Sequence, residues 1–225
     1  MPNISHNLAQ IQARLHQCAA RFTDGQAVPI LLAVSKTKPV SAIIEAYQAG
    51  QRDFGENYAQ ELTDKALQLQ HLAITWHFIG PIQSNKTHLI AEHCDWVHSI
   101  DRAKIAERLN AQRPAHLPPL QVCIQVNVDQ QTTKSGVDDA QLPALIALIK
   151  GLPHLRLRGL MTIPDPNNPK PAFLRLAQLA QQFELSTLSM GMSDDMDDAI
   201  AAGSTMVRIG SAIFGQREHT VTIDK

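Results

Sequence analysis

Cysteine is scarce and never closely spaced. Cys18, Cys94 and Cys123 are the only three in 225 residues, and no Cys-x-x-Cys occurs. Neither a disulfide framework nor a zinc ribbon is therefore indicated. No run approaches the roughly 20 apolar residues of a membrane span. The opening MPNISHNLAQIQARL lacks a basic region followed by an apolar one, so no secretory leader is expected and the reducing cytoplasm is the expected compartment. Charge is thin as well: Asp, Glu, Lys and Arg make up 18% of the chain, against roughly 25% in average proteins. Twenty basic residues against 21 acidic leave a net charge of -1. That balance lacks the electrostatic footprint of a nucleic-acid surface, and neither nucleic acid nor membrane is expected as a partner. No Gly/Ser-rich linker or composition break divides the sequence, so one domain over residues 1–225 is expected. No Gly-x-Gly-x-x-Gly follows the first candidate strand, which removes the dinucleotide fingerprint.

What is present is a core and a rhythm. Hydrophobic residues make up 44% of the chain, and a domain of this length buries roughly 70–75% of its unfolded surface without staples. Leu8, Ile11, Leu15, Cys18 and Phe22 recur at helical spacing, predicting a first helix from about Ser5 to Phe22 with Ser5 as its cap. After the turn-forming Thr23-Asp24-Gly25 the pattern alternates between apolar strand and amphipathic helix. Strands are predicted at Ile30–Lys36, Asp53–Asn57, Trp76–Gly80, Trp96–Ile100, Leu120–Val128, Leu155–Ile163, Thr187–Met192 and Met206–Phe214. Helices are predicted at Val40–Ala49, Ala103–Gln112, Leu142–Lys150, Ala172–Phe183 and Asp195–Ala202, several stopping at a glycine. Such alternation implies parallel strands joined by crossovers. An α/β fold, a single (β/α)8 barrel with an extra N-terminal helix, is the expected architecture, with a doubly wound open sheet as the alternative.

In a barrel the chemistry sits at the C-terminal ends of the strands. Lys36 closes the apolar run AVSK, where desolvation favours a neutral amine of the kind Schiff-base chemistry needs, although a lysine snorkelling into solvent fits the same position. Lys38 faces the same way only if the strand continues, against which Pro39 argues. Ser193 stands where an N-cap belongs, with Gly191 allowing a tight turn before it; a phosphate fits there, and so does a plain helix cap. Asp194, Asp195, Asp197 and Asp198 would repel a phosphate unless they point away. DDMDD matches the magnesium motif of all-helical isoprenoid synthases, but its strand-to-helix setting argues for coincidence. Arg208 lies inside an apolar strand and must meet either a carboxylate across the barrel or a ligand. The amides of Gly210 and Ser211 can serve the same anion as Ser193. Lysine, caged arginine and anion-holding turns are together the parts of a pyridoxal phosphate site.

The stretches LLAVSKTKP, FGENYAQE, WHFIGPIQSNK, TKSGV, LRGLMTIP and LSMGMSDDMDDAIAAGSTMVRIGSAIFG resemble the pyridoxal phosphate homeostasis protein family (YggS/PROSC-like) over nearly the whole chain. The resemblance implies the alanine racemase N-terminal barrel fold. It also implies pyridoxal 5′-phosphate held as a Schiff base on Lys36, its phosphate on Ser193 and the Gly210-Ser211 amides, and Arg208 facing the pyridine nitrogen. Asn57 falls in a family motif and either reaches the cofactor ring or caps a helix beginning at Tyr58. His77 alternates with Trp76 and Phe78, so one set faces the barrel interior; a hydrogen-bonded core histidine is the default reading. Lys86, Asn85 and Lys134 lie on loops after strands three and five, where a solvated group is the default, though Lys134 could offer a second amine during cofactor release. The implied function is non-catalytic: buffering, storage or delivery of the cofactor by a monomer, with apo-forms of pyridoxal phosphate enzymes as partners. The alternative is an amino-acid racemase of the same barrel type. Against it, Tyr47 and Tyr58 are the only tyrosines, both early, and the sequence is expected to lack the second domain that brings racemases their tyrosine base.

Overall fold

In the computed structural model, which describes residues 3–22, 27–129 and 135–216, eight parallel strands close into a barrel in sequence order. They are β1 (Ile30–Val34), β2 (Asp53–Glu56), β3 (Thr75–Phe78), β4 (Trp96–Ile100), β5 (Leu120–Gln125), β6 (Leu155–Met161), β7 (Thr187–Ser189) and β8 (Met206–Ile209). Closure rests on β8 returning to β1, with Ile30 opposite Met206 and Leu32 opposite Arg208. That pairing excludes the open sheet. The helices are α1 (Ile4–Phe22), α2 (Val40–Gln48), α3 (Ala59–Gln68), α4 (Thr87–His93), α5 (Ala103–Gln112), α6 (Leu142–Lys150), α7 (Pro169–Gln182), α8 (Met196–Ala201) and α9 (Ser211–Phe214). Helix α1 precedes the first strand and packs on α2, α8 and α9 through its apolar stripe, burying Leu8, Leu15 and Cys18.

The boundaries differ from the sequence-based ones for identifiable reasons. Asn3, not Ser5, caps α1: its Oδ1 accepts the His6 amide at 2.9 Å. Helix α7 begins three residues before Ala172 because Pro169 and Pro171 fall in its first turn, where their missing N–H groups have no helical partner to lose. The last predicted strand stops at Ile209, and Ser211–Phe214 coil into α9. Helices α3 and α4 carry no predicted counterpart beyond the one suggested at Tyr58. The Thr23-Asp24-Gly25 turn lies outside the described residues.

Alternation along the strands splits the side chains between barrel interior and helical layer. Phe54 and Trp76 meet outside, ring centroids 6.1 Å apart. His98 on β4 reaches Ser189 on β7 at 2.7 Å, and since these strands are not neighbours, the contact crosses the lumen. Seam β6–β7 is tight: Gly159 pairs with Thr187, and a Cβ there would fall 1.8 Å from the Thr187 carbonyl oxygen.

Candidate cofactor site

A cavity of about 350 Å³ opens at the C-terminal ends of the strands, and its lining includes Lys36, Asn57, Ser193, Arg208, Gly210 and Ser211. Residues read from four separate stretches of sequence thus meet at one mouth. The volume lies in the range of roughly 300–1,000 Å³ usual for small-ligand pockets.

Lys36 does not stand on the strand itself. Strand β1 ends at Val34, and Ser35–Lys38 form a turn closed by the Lys38 amide on the Ser35 carbonyl at 3.0 Å. Thr37 sits in this turn with φ 62°, a left-handed conformation unusual for a β-branched residue. Lys36 is half-buried. Lys38 also lines the cavity, but its ammonium donates to the carbonyls of Gly215 and Gln216, both at 3.0 Å, and so ties down the end of α9.

Asn57 is not a helix cap. Helix α3 starts at Ala59 after Tyr58, whose side chain makes no cap hydrogen bond, and the Asn57 Oδ1 is buried with no partner. A buried acceptor without a donor costs free energy unless something that enters the cavity supplies one. Gly80 lets the backbones meet behind it, since a Cβ there would fall 2.1 Å from the Asn57 carbonyl oxygen.

Ser193 is no cap either. Helix α8 begins at Met196, and the flanking Asp195 turns its Oδ1 back to the Met192 amide at 2.6 Å. Gly191 makes the turn with φ 97°, and a Cβ there would fall 2.5 Å from that of Ala199, so α8 packs down on it. Of the acidic cluster, Asp197 faces α1 and pairs with Arg14 at 2.6 Å, while Asp194 lines the cavity. Arg14 also donates to the Ser193 carbonyl at 3.0 Å, pinning the loop from behind. Across the mouth, Gly210 and Ser211 open α9 ahead of its first internal bonds, which the Ile213 and Phe214 amides donate to the Gly210 carbonyl at 3.0 and 2.9 Å.

Arg208 is buried, lines the cavity and makes no carboxylate contact among the described residues. Its guanidinium donates to Ser189 Oγ at 2.8 Å and to the Thr162 carbonyl at 2.9 Å. Burial pulls its pKa down to about 10, with Asp195 opposing, so it remains a cation at neutral pH. Behind it runs a chain through the lumen. Ser189 Oγ meets His98 Nδ1 at 2.7 Å, His98 Nε2 meets His77 Nδ1 at 2.9 Å, and His77 Nε2 meets Asp53 Oδ1 at 3.1 Å. A guanidinium only donates and a carboxylate only accepts. With both rings neutral, Ser189 therefore donates to His98, His98 to His77 and His77 to Asp53. His98 is held neutral, its pKa pushed well below the usual value by burial and further by His77 and Arg208. His77 is thus a core histidine, stacked on Trp96 with ring centroids 5.7 Å apart, and it does not line the cavity.

Sequence reading missed the ionic cluster under the Lys36 turn. Lys65 Nζ reaches Glu56 and Glu61, both at 2.7 Å. Burial pushes the Glu56 carboxyl up, against the pull of Lys65. The Glu61–Lys65 pair stands at the i,i+4 spacing, which was the available signal. Lys86 is half-buried in a single 3-10 turn and Asn85 is exposed beside it; neither lines the cavity. Lys134 lies outside the described residues.

The chain matches the family model for the alanine racemase N-terminal domain over residues 2–218. It is 53% identical to the pyridoxal phosphate homeostasis protein of Escherichia coli K12 over 235 aligned positions, covering 98% of this chain and 99% of that one. The protein of the same name from Vibrio cholerae is 56% identical over 231 positions, covering 97% and 96%. Among solved structures, PipY of Synechococcus elongatus with pyridoxal phosphate bound superposes with TM-score 0.81 at 37% identity, covering 94% of this chain and all 100% of that one. The alanine racemase of Corynebacterium glutamicum shares the fold at TM-score 0.68 and 19% identity, with 99% of this chain matching 62% of that one.

Proposed function

The chain belongs to the pyridoxal phosphate homeostasis protein family, built on an alanine racemase N-terminal domain, and on that premise we propose that it holds pyridoxal 5′-phosphate as a Schiff base on Lys36 and buffers, stores or delivers it. The observation that carries this reading is the meeting of the Lys36 turn, the buried Arg208 cation and the unpartnered Asn57 oxygen around one cavity. The donor set fits the ligand. An amine suits an aldehyde, a guanidinium suits a ring nitrogen, and the Ser193 hydroxyl with the Gly210 and Ser211 amides suits a phosphate. We assign these residues those roles, with Asn57 toward the ring. In the same reading the protein is a one-domain, monomeric carrier in the cytoplasm, and its partners are apo-forms of enzymes that use the cofactor.

When bound, pyridoxal phosphate supplies an electron sink that is strongest with its ring nitrogen protonated. Arg208 works against that: a donor still charged at neutral pH holds the nitrogen unprotonated. Ile163 and Met192 line the cavity while 43% and 38% exposed, so the mouth is open to outside amines. An open, weakly activating site favours exchange of the cofactor over protected chemistry on an amino acid.

Borohydride reduction of the loaded protein followed by peptide mapping is expected to place the pyridoxyl group on Lys36. Label on Lys38 with Lys36 bare overturns the assignment. Incubation with L-alanine in deuterated water is expected to give α-deuterium far more slowly than the roughly 1 per second of an ordinary enzyme. Exchange at that rate, or accumulating D-alanine, replaces the carrier with the racemase.

A further inference from the structure

The turn that carries Lys36 is gripped by a buried ionic cluster with no counterpart elsewhere around the cavity among the described residues. Ser35 Oγ donates to Glu56 Oε1 at 2.6 Å, and Lys65 Nζ donates to the Ser35 carbonyl at 2.8 Å. On the other side of Lys36, the Thr37 amide donates to Glu61 Oε1 at 2.6 Å. Lys65 then joins the two carboxylates, at 2.7 Å to each. Both chain neighbours of Lys36 are therefore fastened to one unit, which spans the end of β2 and the face of α3. The Lys65 and Glu56 side chains are 6% and 0% exposed.

Such a cluster is a poor way to gain stability. Buried ion pairs lose in desolvation much of what they gain in attraction, and Glu56 keeps a second oxygen, Oε2, buried without a partner. The turn it holds is also unfavourable, because Thr37 stands at φ 62° where a β-branched residue is strained. Strain persists only where the surroundings over-determine it, and here two bonds hold it: the Lys38 amide on the Ser35 carbonyl and the Thr37 amide on Glu61. The neighbouring ammonium groups are engaged elsewhere: Lys65 donates to three oxygens of the cluster, and Lys38, outside it, to the carbonyls of Gly215 and Gln216.

We propose that Glu56, Glu61 and Lys65 are positioning residues for Lys36, a clamp that sets the reach of its amine toward the cofactor aldehyde and so governs covalent capture and release. The proposal rests on the reading of Lys36 given above. In the step concerned, Lys36 Nζ bonds to the aldehyde carbon, the carbon–oxygen bond breaks, and the oxygen leaves as water with both amine protons; no oxidant or reductant is needed. The clamp acts on the direction of approach, where displacements of order 1 Å can cost about a hundredfold.

Pyridoxine 5′-phosphate separates positioning from binding, because it has the ring and phosphate but no aldehyde. Glu61→Met removes the acceptor for the Thr37 amide. It is expected to slow Schiff-base formation, followed by absorbance, and to weaken pyridoxal phosphate by about tenfold or more, while pyridoxine 5′-phosphate affinity stays within about twofold. Glu61→Gln keeps an amide oxygen for Thr37 and is expected to restore most of the capture rate. Thr37→Gly relieves the left-handed strain, so it folds if Glu61→Met does not, and by slackening the turn it is expected to give the same split. Equal weakening of both ligands, or no change in either, reduces the cluster to a structural tie and overturns the clamp. Lys36→Ala is the reference and should abolish the extra affinity for the aldehyde-bearing ligand. If that advantage survives Lys36→Ala, the reading of Lys36 falls and the clamp with it; if it is lost there but intact in Glu61→Met and Thr37→Gly, the clamp alone is overturned.

Discussion

Gly159→Ala is expected to cost the barrel about 3 kcal/mol, the upper end of the usual overpacking penalty, and to lower its melting temperature by roughly 6–12 °C for a chain of this size. The added Cβ would fall 1.8 Å from the Thr187 carbonyl oxygen, 2.5 Å from its carbon and 2.7 Å from its Cα. All three are backbone atoms, so no side chain can swing aside. Gly159 and Thr187 are register partners, and β7 is only Thr187–Ser189, so relieving the clash means parting the β6–β7 seam and moving Ser189, which holds Arg208. Loss of cofactor affinity should accompany loss of stability. Gly151→Ala is the control. Its Cβ would lie 3.4 Å from its nearest neighbour, the Leu148 oxygen, and its φ of -85° is ordinary, so calorimetry should find it within about 0.5 kcal/mol of the parent. A Gly159→Ala protein melting within roughly 2 °C of the parent would show that the seam gives way freely.

The second large effect is of pH. His98 is fully buried, and burial, then His77 and Arg208, hold its pKa well below the ordinary 6.5. In the unfolded chain it protonates near that ordinary value; in the barrel it does not. As pH falls below 6.5 the unfolded state binds the extra proton, so stability falls with pH on the order of 1 kcal/mol per unit until the folded-state pKa is reached. Thiols shape the alkaline side in the opposite sense. Burial raises Cys94 well above its ordinary 9.0 and Cys123 to about 12. The unfolded chain therefore loses those protons first, and stability falls as pH rises above 9. Denaturant titrations from pH 4.5 to 7 check the acid limb. A His98→Gln protein should show a shallower slope than the parent, and identical slopes would mean that His98 does not carry the acid loss.

Local pattern carried the strand–helix alternation and with it the residues at strand ends. Lys36 and Arg208 were legible because each is a cation set against apolar neighbours, a conflict that only a site or a partner resolves. Closure was not legible: it depends on Ile30 meeting Met206 across the whole chain, and no window of sequence contains both. Helix α3 escaped because its core-facing positions are Leu62, Thr63 and Lys65, so its buried stripe is not apolar. The same lysine anchors the cluster under the Lys36 turn, so one omission hid both. Ser189 and His98 look unremarkable in their strands, and their importance comes from a contact across the lumen between β4 and β7.

The lumen chain from Arg208 to Asp53 has an electrical meaning. With both imidazoles neutral, its N–H and O–H groups all point the same way, so their bond dipoles add head to tail along the barrel. The negative end of that row, a lone pair of Ser189, meets the guanidinium, and the positive end, an N–H of His77, meets the carboxylate. Arg208 is thus solvated by an aligned polar column in place of water, much as an ion is stabilised at the end of a helix. A column of this kind is already oriented before any ligand arrives and need not reorganise when one does. The barrel interior, elsewhere a packed filler, serves at this one line of residues as a fixed solvent for its own cation.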